Sequence, residues 1–212
     1  MKTKTELNKN IRVLKIIELL ENQYSHTKTA LNYTNPLEIL VATILSAQCT
    51  DKQVNIVTKK LFKKYKTAKD YTNTELAELE EDIRSTGFYR NKAKNIKKSC
   101  QILVEKYDSQ VPRTMEELLE LPGVARKTAN IVLTNAYGVI VGIAVDTHVR
   151  RLSQRLRLTK NTNPDKIEGD LVLIVPRTYW KIINNLLVLH GRNVCMARKP
   201  KCGSCILNKI CP

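Results

Sequence analysis

Two groups of residues in this 212-residue chain have the types and spacing to do chemistry. The first is a set of four cysteines, Cys195, Cys202, Cys205 and Cys211, separated by six, two and five residues. Four thiols within 17 residues argue for a metal centre rather than disulfides, because nothing else in the chain reads as secreted. Zinc takes four thiolates in a closed tetrahedral site, and an iron–sulfur cluster also takes four, so the donor set alone leaves both open. Cys49 and Cys100 stand apart in helical stretches and read as buried apolar residues.

The second group lies in Glu120 to Ala129 (ELPGVARKTA) and in Asp146 of the run Ile143 to Val149 (IAVDTHV). Pro122 and Gly123 force a tight turn between a helix ending near Leu121 and one starting near Ala125. Its small residues let backbone approach a ligand closely. The first amides of the new helix point outward at the positive end of its dipole, which suits a phosphate. The same pattern would also make a plain helix–helix connection. Lys127 falls in the first turn beside Arg126. An ordinary lysine there is a solvated charge. In a partly buried cleft, desolvation, the helix end and the neighbouring cation would all disfavour the ammonium and leave a nucleophilic amine. Asp146 follows a small apolar run and is placed to cap the next helix, where a carboxylate stays ionised. His148 reads as a structural or phosphate contact.

The elements that must position these groups read as helices almost throughout. Only seven Gly and seven Pro punctuate the chain, and no Asn-Gly or Asp-Gly hairpin or sustained period-2 alternation occurs. A helix fits Ile11 to Glu21, with Leu14, Ile17 and Leu20 on its buried stripe. Asn35 and Pro36 open Leu37 to Ala47, which is apolar nearly all round and reads as a central helix. Another begins after Thr50 and Asp51, with Val54, Val57, Leu61 and Phe62 inward. Thr74 to Ser85 buries Leu76, Leu79 and Ile83 and stops at Gly87, read as a left-handed cap. Thr114 and Glu117 have capping-box spacing before Leu118, Leu119 and Leu121. Pro164 breaks the connection before two further helices, roughly Lys166 to Leu173 and Thr178 to Gly191. The fold class is all-α.

Charge points to the partner. Thirty-six Lys and Arg against 20 Asp and Glu give +16, with a pI near 9.7. From Arg150 to Pro212 there are 13 basic and 3 acidic residues, a local +10. Such an excess costs self-repulsion and makes sense against a polyanion, with nucleic acid favoured. A hydrophobic fraction of 42% excludes a disordered chain, and the longest apolar run, Pro36 to Ala47, is too short for a membrane span. With a polar N-terminus (MKTKTELNKN), the expectation is a cytoplasmic protein with no membrane partner.

LPGVARKTA resembles the helix-hairpin-helix of the endonuclease III family of DNA repair glycosylases, and Val145 to Val149 (VDTHV) resembles its aspartate motif. HGRNVCMARKPKCGSC is similar to the family's cluster segment. The resemblance covers nearly the whole chain. It departs in having Ala125 where a second Gly is usual, which implies a slightly less permissive hairpin. It implies a six-helix bundle over 27–142 and an iron–sulfur cluster domain over 1–26 and 143–212, with the substrate cleft between them. It also implies a [4Fe–4S] cluster on Cys195, Cys202, Cys205 and Cys211, ordering a loop that projects Arg198, Lys199 and Lys201 toward a phosphate backbone.

The implied activity is that of a monomeric, bifunctional DNA glycosylase and abasic-site lyase acting on oxidised pyrimidines in double-stranded DNA. Lys127 would attack C1′ of the deoxyribose, Asp146 would stabilise the cationic sugar, and a Schiff base would lead to β-elimination. Amides of Gly123, Val124 and Ala125 would hold a phosphate. A base inside a duplex must be extruded before any side chain reaches it. By the same resemblance Gln48, in Leu45 to Asp51, would fill the gap, and Phe88, in Gly87 to Ala93, would wedge the opposite strand. Phe stands where the family commonly has an aliphatic residue. Three other readings remain: an adenine glycosylase, a thymine or uracil mismatch glycosylase, and a non-catalytic hairpin module that only docks on DNA. The first two typically lack a lysine matching Lys127.

Overall fold

The computed structural model describes residues 4–24 and 29–212, and among these every regular element is a helix. The chain divides into two compact units, Thr29–Val141 and Met1–Lys28 with Gly142–Pro212. The expected boundary between residues 26 and 27 lies outside the described residues.

The unit Thr29–Val141 is built around α2 (Pro36–Leu45), whose residues from Ile39 to Leu45 are all buried. Asn35 starts it by accepting the Glu38 N–H at 3.0 Å, with Pro36 at the first helical position. Around it lie α3 (Asp51–Lys64), α4 (Ala68–Asn73), α5 (Leu76–Asp82), α6 (Tyr89–Lys106), α7 (Met115–Leu119) and α8 (Arg126–Tyr137). Of these, α3, α6 and α8 pack directly on α2. Val54, Val57 and Leu61 face inward from α3, while Phe62 is half-buried. A core of this composition contributes roughly 1.5–3 kcal/mol per fully buried Leu, Ile or Val, which lets the short α4, α5 and α7 hold their places. The helix expected to run to Ser85 stops at Asp82, followed by a 3-10 turn at Arg84–Thr86. Gly87 has φ +67° and ψ 154°, so it is not the left-handed cap the sequence suggested; that conformation belongs to Phe88, at φ 49° and ψ 27°.

The second unit assembles α1 (Lys4–Gln23), α9 (Thr147–Arg155), α10 (Pro164–Ile174) and α11 (Trp180–Asn193). Its core joins Val13, Ile16, Ile17 and Leu20 to Val149, Leu152, Ile167, Leu171, Ile183, Leu186 and Leu187. Leu14, expected on the buried stripe of α1, is exposed, because the stripe runs through residues 13, 16, 17 and 20. Asn163 caps α10 by accepting the N–H groups of Asp165 and Lys166, ahead of Pro164 at the first position. Leu207 ties the cysteine-rich tail into this core. No helix among the described residues is long and apolar enough to cross a membrane.

Candidate active site and nucleic-acid interface

The hairpin is set by packing at both ends of a five-residue helix. Thr114 accepts the Glu117 N–H and donates its hydroxyl to Glu117 Oε2 at 2.7 Å, which starts α7. Leu118 and Leu121 are buried, but Leu119, expected beside them, faces solvent. The turn closes where the Val124 N–H donates to the Leu121 carbonyl at 3.0 Å and the Ser99 hydroxyl to the Pro122 carbonyl at 2.8 Å. Gly123 sits at φ +81°, and a Cβ added there would lie 2.9 Å from Asn95 Nδ2. Both facts demand glycine. Gly123 and Ala125 are exposed, whereas Val124 is buried and its amide is used by the turn.

Ala125 is the extended N-cap of α8 and supplies no side-chain acceptor, so no cap side chain occupies the first amides of that helix. The helix buries Ala129, Asn130, Val132 and Leu133, which turns Lys127 to the opposite, exposed face in the first turn. The desolvation anticipated for this amine therefore is not supplied by its own unit.

Asp146 is the N-cap of α9 and is half-buried behind the buried Ile143, Ala144 and Val145. Its Oδ1 accepts the N–H groups of His148 and Val149, each at 2.8 Å. Two charge-assisted bonds at a positive helix end fix the carboxylate. Burial pushes the pKa of His148 below its ordinary value; Asp146 opposes this, while Arg151 and Arg192 add to it. Arg151 Nη2 lies 3.1 Å from His148 Nδ1.

Gln48 and Phe88 belong to the Thr29–Val141 unit, both exposed and both at positive φ, 52° and 49°. Non-glycine residues in this region cost about 1–2 kcal/mol each, a strain that collects at functional sites.

The four clustered cysteines lie in the other unit and form no disulfide, Cys195 and Cys205 half-buried and Cys202 and Cys211 exposed. Burial and, after it, the neighbouring cysteines raise the pKa of Cys205 and of Cys211. A bound cationic centre would deprotonate coordinating thiols outright. Among the described residues no three such side chains converge on one ion. A [4Fe–4S] cluster does not require that, since each thiolate takes its own iron. The donor chemistry fits the cluster. His190, buried in α11, places Nε2 3.3 Å from Cys205 Sγ and Nδ1 3.2 Å from the Tyr24 hydroxyl.

Two arginines that the sequence did not single out organise the basic loop. Arg155 donates to the Met196 carbonyl at 2.7 Å, to the Ala197 carbonyl at 3.0 Å and to Cys195 Sγ at 3.3 Å. Arg151 donates to the carbonyls of Cys195 and Gly191. A Cβ on Gly191 would meet Arg151 Nη2 and His148 Nδ1 at 2.9 Å, so the glycine opens the slot the guanidinium fills. Their i, i+4 spacing on one face of α9 was the available signal. Arg198, Lys199 and Lys201 project from this tethered loop and are all exposed, with Lys199 at φ 52°.

With this geometry in view, the comparisons with known proteins are specific. The family described as HhH-GPD superfamily base excision DNA repair protein matches residues 41–177, and the iron–sulfur binding domain of endonuclease III matches residues 195–211. Endonuclease III of Synechocystis is 52% identical over 205 residues, covering 97% of this chain and 94% of that protein. A solved non-covalent endonuclease III–DNA complex has a TM-score of 0.91 at 44% identity, covering 100% of this chain and 96% of that one. A trapped endonuclease III–DNA covalent intermediate gives the same TM-score, 0.91, the same identity, 44%, and the same coverage, 100% and 96%.

Proposed function

The chain belongs to the endonuclease III family of iron–sulfur DNA glycosylases with abasic-site lyase activity, and we propose that it removes oxidised pyrimidines from duplex DNA through Lys127 and Asp146. The observation that carries this reading is Lys127 standing exposed in the first turn of α8, directly behind a hairpin whose new helix has no side-chain cap. A phosphate held at that helix start brings the adjoining sugar within reach of the amine.

The amine nitrogen of Lys127 forms a bond to C1′ as the glycosidic bond breaks, and the base leaves with the electron pair and is protonated. Asp146 stabilises positive charge on the sugar and accepts the proton released by the attacking nitrogen. Ring opening gives a Schiff base. Loss of a C2′ proton then expels the 3′ phosphate, cleaving the strand, and water hydrolyses the imine to release the enzyme. Bound DNA, rather than the protein alone, dries the amine.

Amides of Gly123 and Ala125, with Val124 packed beneath them, receive the phosphate, and Arg198, Lys199 and Lys201 engage the backbone further along. Gln48 fills the space left by the extruded nucleotide and Phe88 wedges the facing strand. Cys195, Cys202, Cys205 and Cys211 hold the [4Fe–4S] cluster, whose contribution is structural: it fixes the loop between the first two ligands. The hairpin-bearing bundle is the unit Thr29–Val141, and Met1–Lys28 with Gly142–Pro212 form the cluster domain. The enzyme works as a cytoplasmic monomer on a damaged base or an abasic site.

A panel of single-lesion duplexes tests the reading. Borohydride should reduce the Schiff base and trap a covalent adduct on thymine-glycol and abasic duplexes, and Lys127→Ala should lose the adduct while still binding DNA. Undiminished trapping in that variant would place the nucleophile elsewhere. Base release confined to G·T or G·U mismatches would replace oxidised pyrimidines with mismatched thymine or uracil as the substrate.

A further inference from the structure

Lys92, in the first turn of α6, is 4% exposed and buries its ammonium. Its Nζ donates to two main-chain carbonyls, Leu45 and Thr86, each at 2.8 Å. Leu45 is the last residue of α2 and Thr86 the last of the 3-10 turn Arg84–Thr86. Both carbonyls therefore lie at helix C-termini, where partners run out and a cation is favoured. The Lys92 N–H also donates to the Phe88 carbonyl at 3.1 Å. One residue thus grips three points on two segments that are remote in sequence.

Each of the two carbonyls held by the ammonium stands just ahead of a loop tip. Three residues beyond Leu45 is Gln48, and two beyond Thr86 is Phe88, both exposed and both in the left-handed region. Strained tips on exposed loops relax unless the surrounding structure holds them. Burial lowers the pKa of Lys92, against a smaller opposing effect of Cys49, and burying this amine carries a desolvation cost that a Met or Leu would not incur. A further bond, from Gln53 Nε2 of α3 to Ser85 Oγ of the 3-10 turn at 2.9 Å, lies at the surface.

We propose that Lys92 is a positioning residue for nucleotide extrusion, clamping together the two loops whose tips carry Gln48 and Phe88. The inference rests on the duplex-entering role proposed for those two residues. It concerns the step before chemistry, not the reaction at C1′.

Lys92→Met keeps the side-chain stem and removes the charge and both side-chain bonds. Three readouts separate positioning from mere stability: single-turnover base release from a thymine-glycol duplex, fluorescence of a 2-aminopurine placed beside the lesion, and borohydride trapping on a single-stranded abasic oligonucleotide. Rates are normalised to the folded fraction. Base release should fall by about 10- to 100-fold, as for a small displacement of a positioned group. The fluorescence rise on binding should be lost, and single-strand trapping, which needs no duplex opening, should be unchanged. Base release and single-strand trapping falling together would make Lys92 a structural residue only, and no change in either would remove it from the reaction. Gln48→Ala and Phe88→Ala, measured alongside, test the underlying reading. If they leave fluorescence and release intact, the duplex-entering role fails; if they lower both while Lys92→Met lowers neither, only the clamp fails. Should Lys92→Met not fold, Lys92→Gln, which retains one donor group, is read by the same split.

Discussion

Asp146 accepts the Val149 N–H through Oδ1 at 2.8 Å, and the His148 N–H reaches the same oxygen at the same distance. The cap occupies one carboxylate oxygen, so capping and catalysis need not compete for the same atom. Asparagine caps a helix as well as aspartate does but carries no charge. Asp146→Asn should therefore keep the melting temperature and slow base release by roughly 10²-fold or more, the scale for removing a transition-state electrostatic or general-base group. Asp146→Ala should show the same kinetic loss and, in addition, about 1 kcal/mol of destabilisation from the missing cap. Equal base-release rates for Asp146→Asn and the parent protein would reduce the residue to a cap.

Gly123 gives a second separation of effects. At φ +81° any side chain costs about 1–2 kcal/mol, and here its Cβ would also lie 2.9 Å from Asn95 Nδ2. Gly123→Ala should destabilise the protein by that order and weaken binding to damaged and undamaged duplexes alike, because a phosphate contact carries no sequence information. Adding Asn95→Ala removes Nδ2 and Cγ but leaves Asn95 Cβ 3.0 Å from the new methyl, so it should recover only a share of the part due to the collision and none of the part due to the dihedral. Denaturant unfolding and titration of the two duplexes read both quantities; selective loss on the lesion duplex would contradict a phosphate-holding role.

Legibility in the sequence depends on the range of the interaction. The all-α class, the caps at Asn35, Thr114 and Asp146, and the helix break at Pro122 and Gly123 depend on neighbours within a turn, and the sequence carries them. Leu14 and Leu119 were misplaced because a helical stripe can be drawn through more than one phase, and only the packed partner selects between Leu14 and the pair Val13 and Ile16. Arg151 and Arg155 act on carbonyls about 40 residues away, and Lys92 reaches Leu45 across 47 residues. Contacts to main-chain carbonyls leave no trace in the identity of the accepting residue. The positive φ of Gln48 and Phe88 is equally silent, since neither residue type announces a left-handed backbone.

Cys100 tests the placement of the bundle core. It is 1% exposed, and burial raises its thiol to about 12. Only the thiolate reacts, and at pH 8 that pKa leaves about one thiol in 10⁴ ionised. A maleimide should therefore fail to label Cys100 in the native protein at pH 8 and label it on unfolding, while half-buried Cys49 reacts in the native state. The sign of the linkage is fixed as well. A folded-state value above the unfolded one contributes stability that is complete below the ordinary thiol pKa of about 8.5 and is lost as pH rises through about 12. Cys100→Ala should flatten that alkaline decline at the cost of a small cavity. Mass spectrometry of the labelled peptides and unfolding between pH 8 and 11 check the two halves.

Arg155 tethers the loop that carries the three basic side chains proposed to engage phosphate. Its guanidinium holds Met196, Ala197 and Cys195 at once, and the next residues along the loop include Arg198, Lys199 and Lys201. Arg155→Met preserves the apolar stem on α9 and removes every one of those bonds. With the four cysteines intact, iron content should stay at that of the parent protein, but the loop loses its anchor and the three basic side chains spread over more conformations. Ordering them then costs entropy on binding. Affinity for any duplex should fall, and the slope of log K against log salt should become shallower by about 0.9 for each phosphate contact no longer made. Arg198→Ala in the same background should have less effect than in the parent, because the two changes act on one loop. A full, additive effect of Arg198→Ala, or an unchanged salt slope in Arg155→Met, would show that the loop reaches phosphate without the arginine's help.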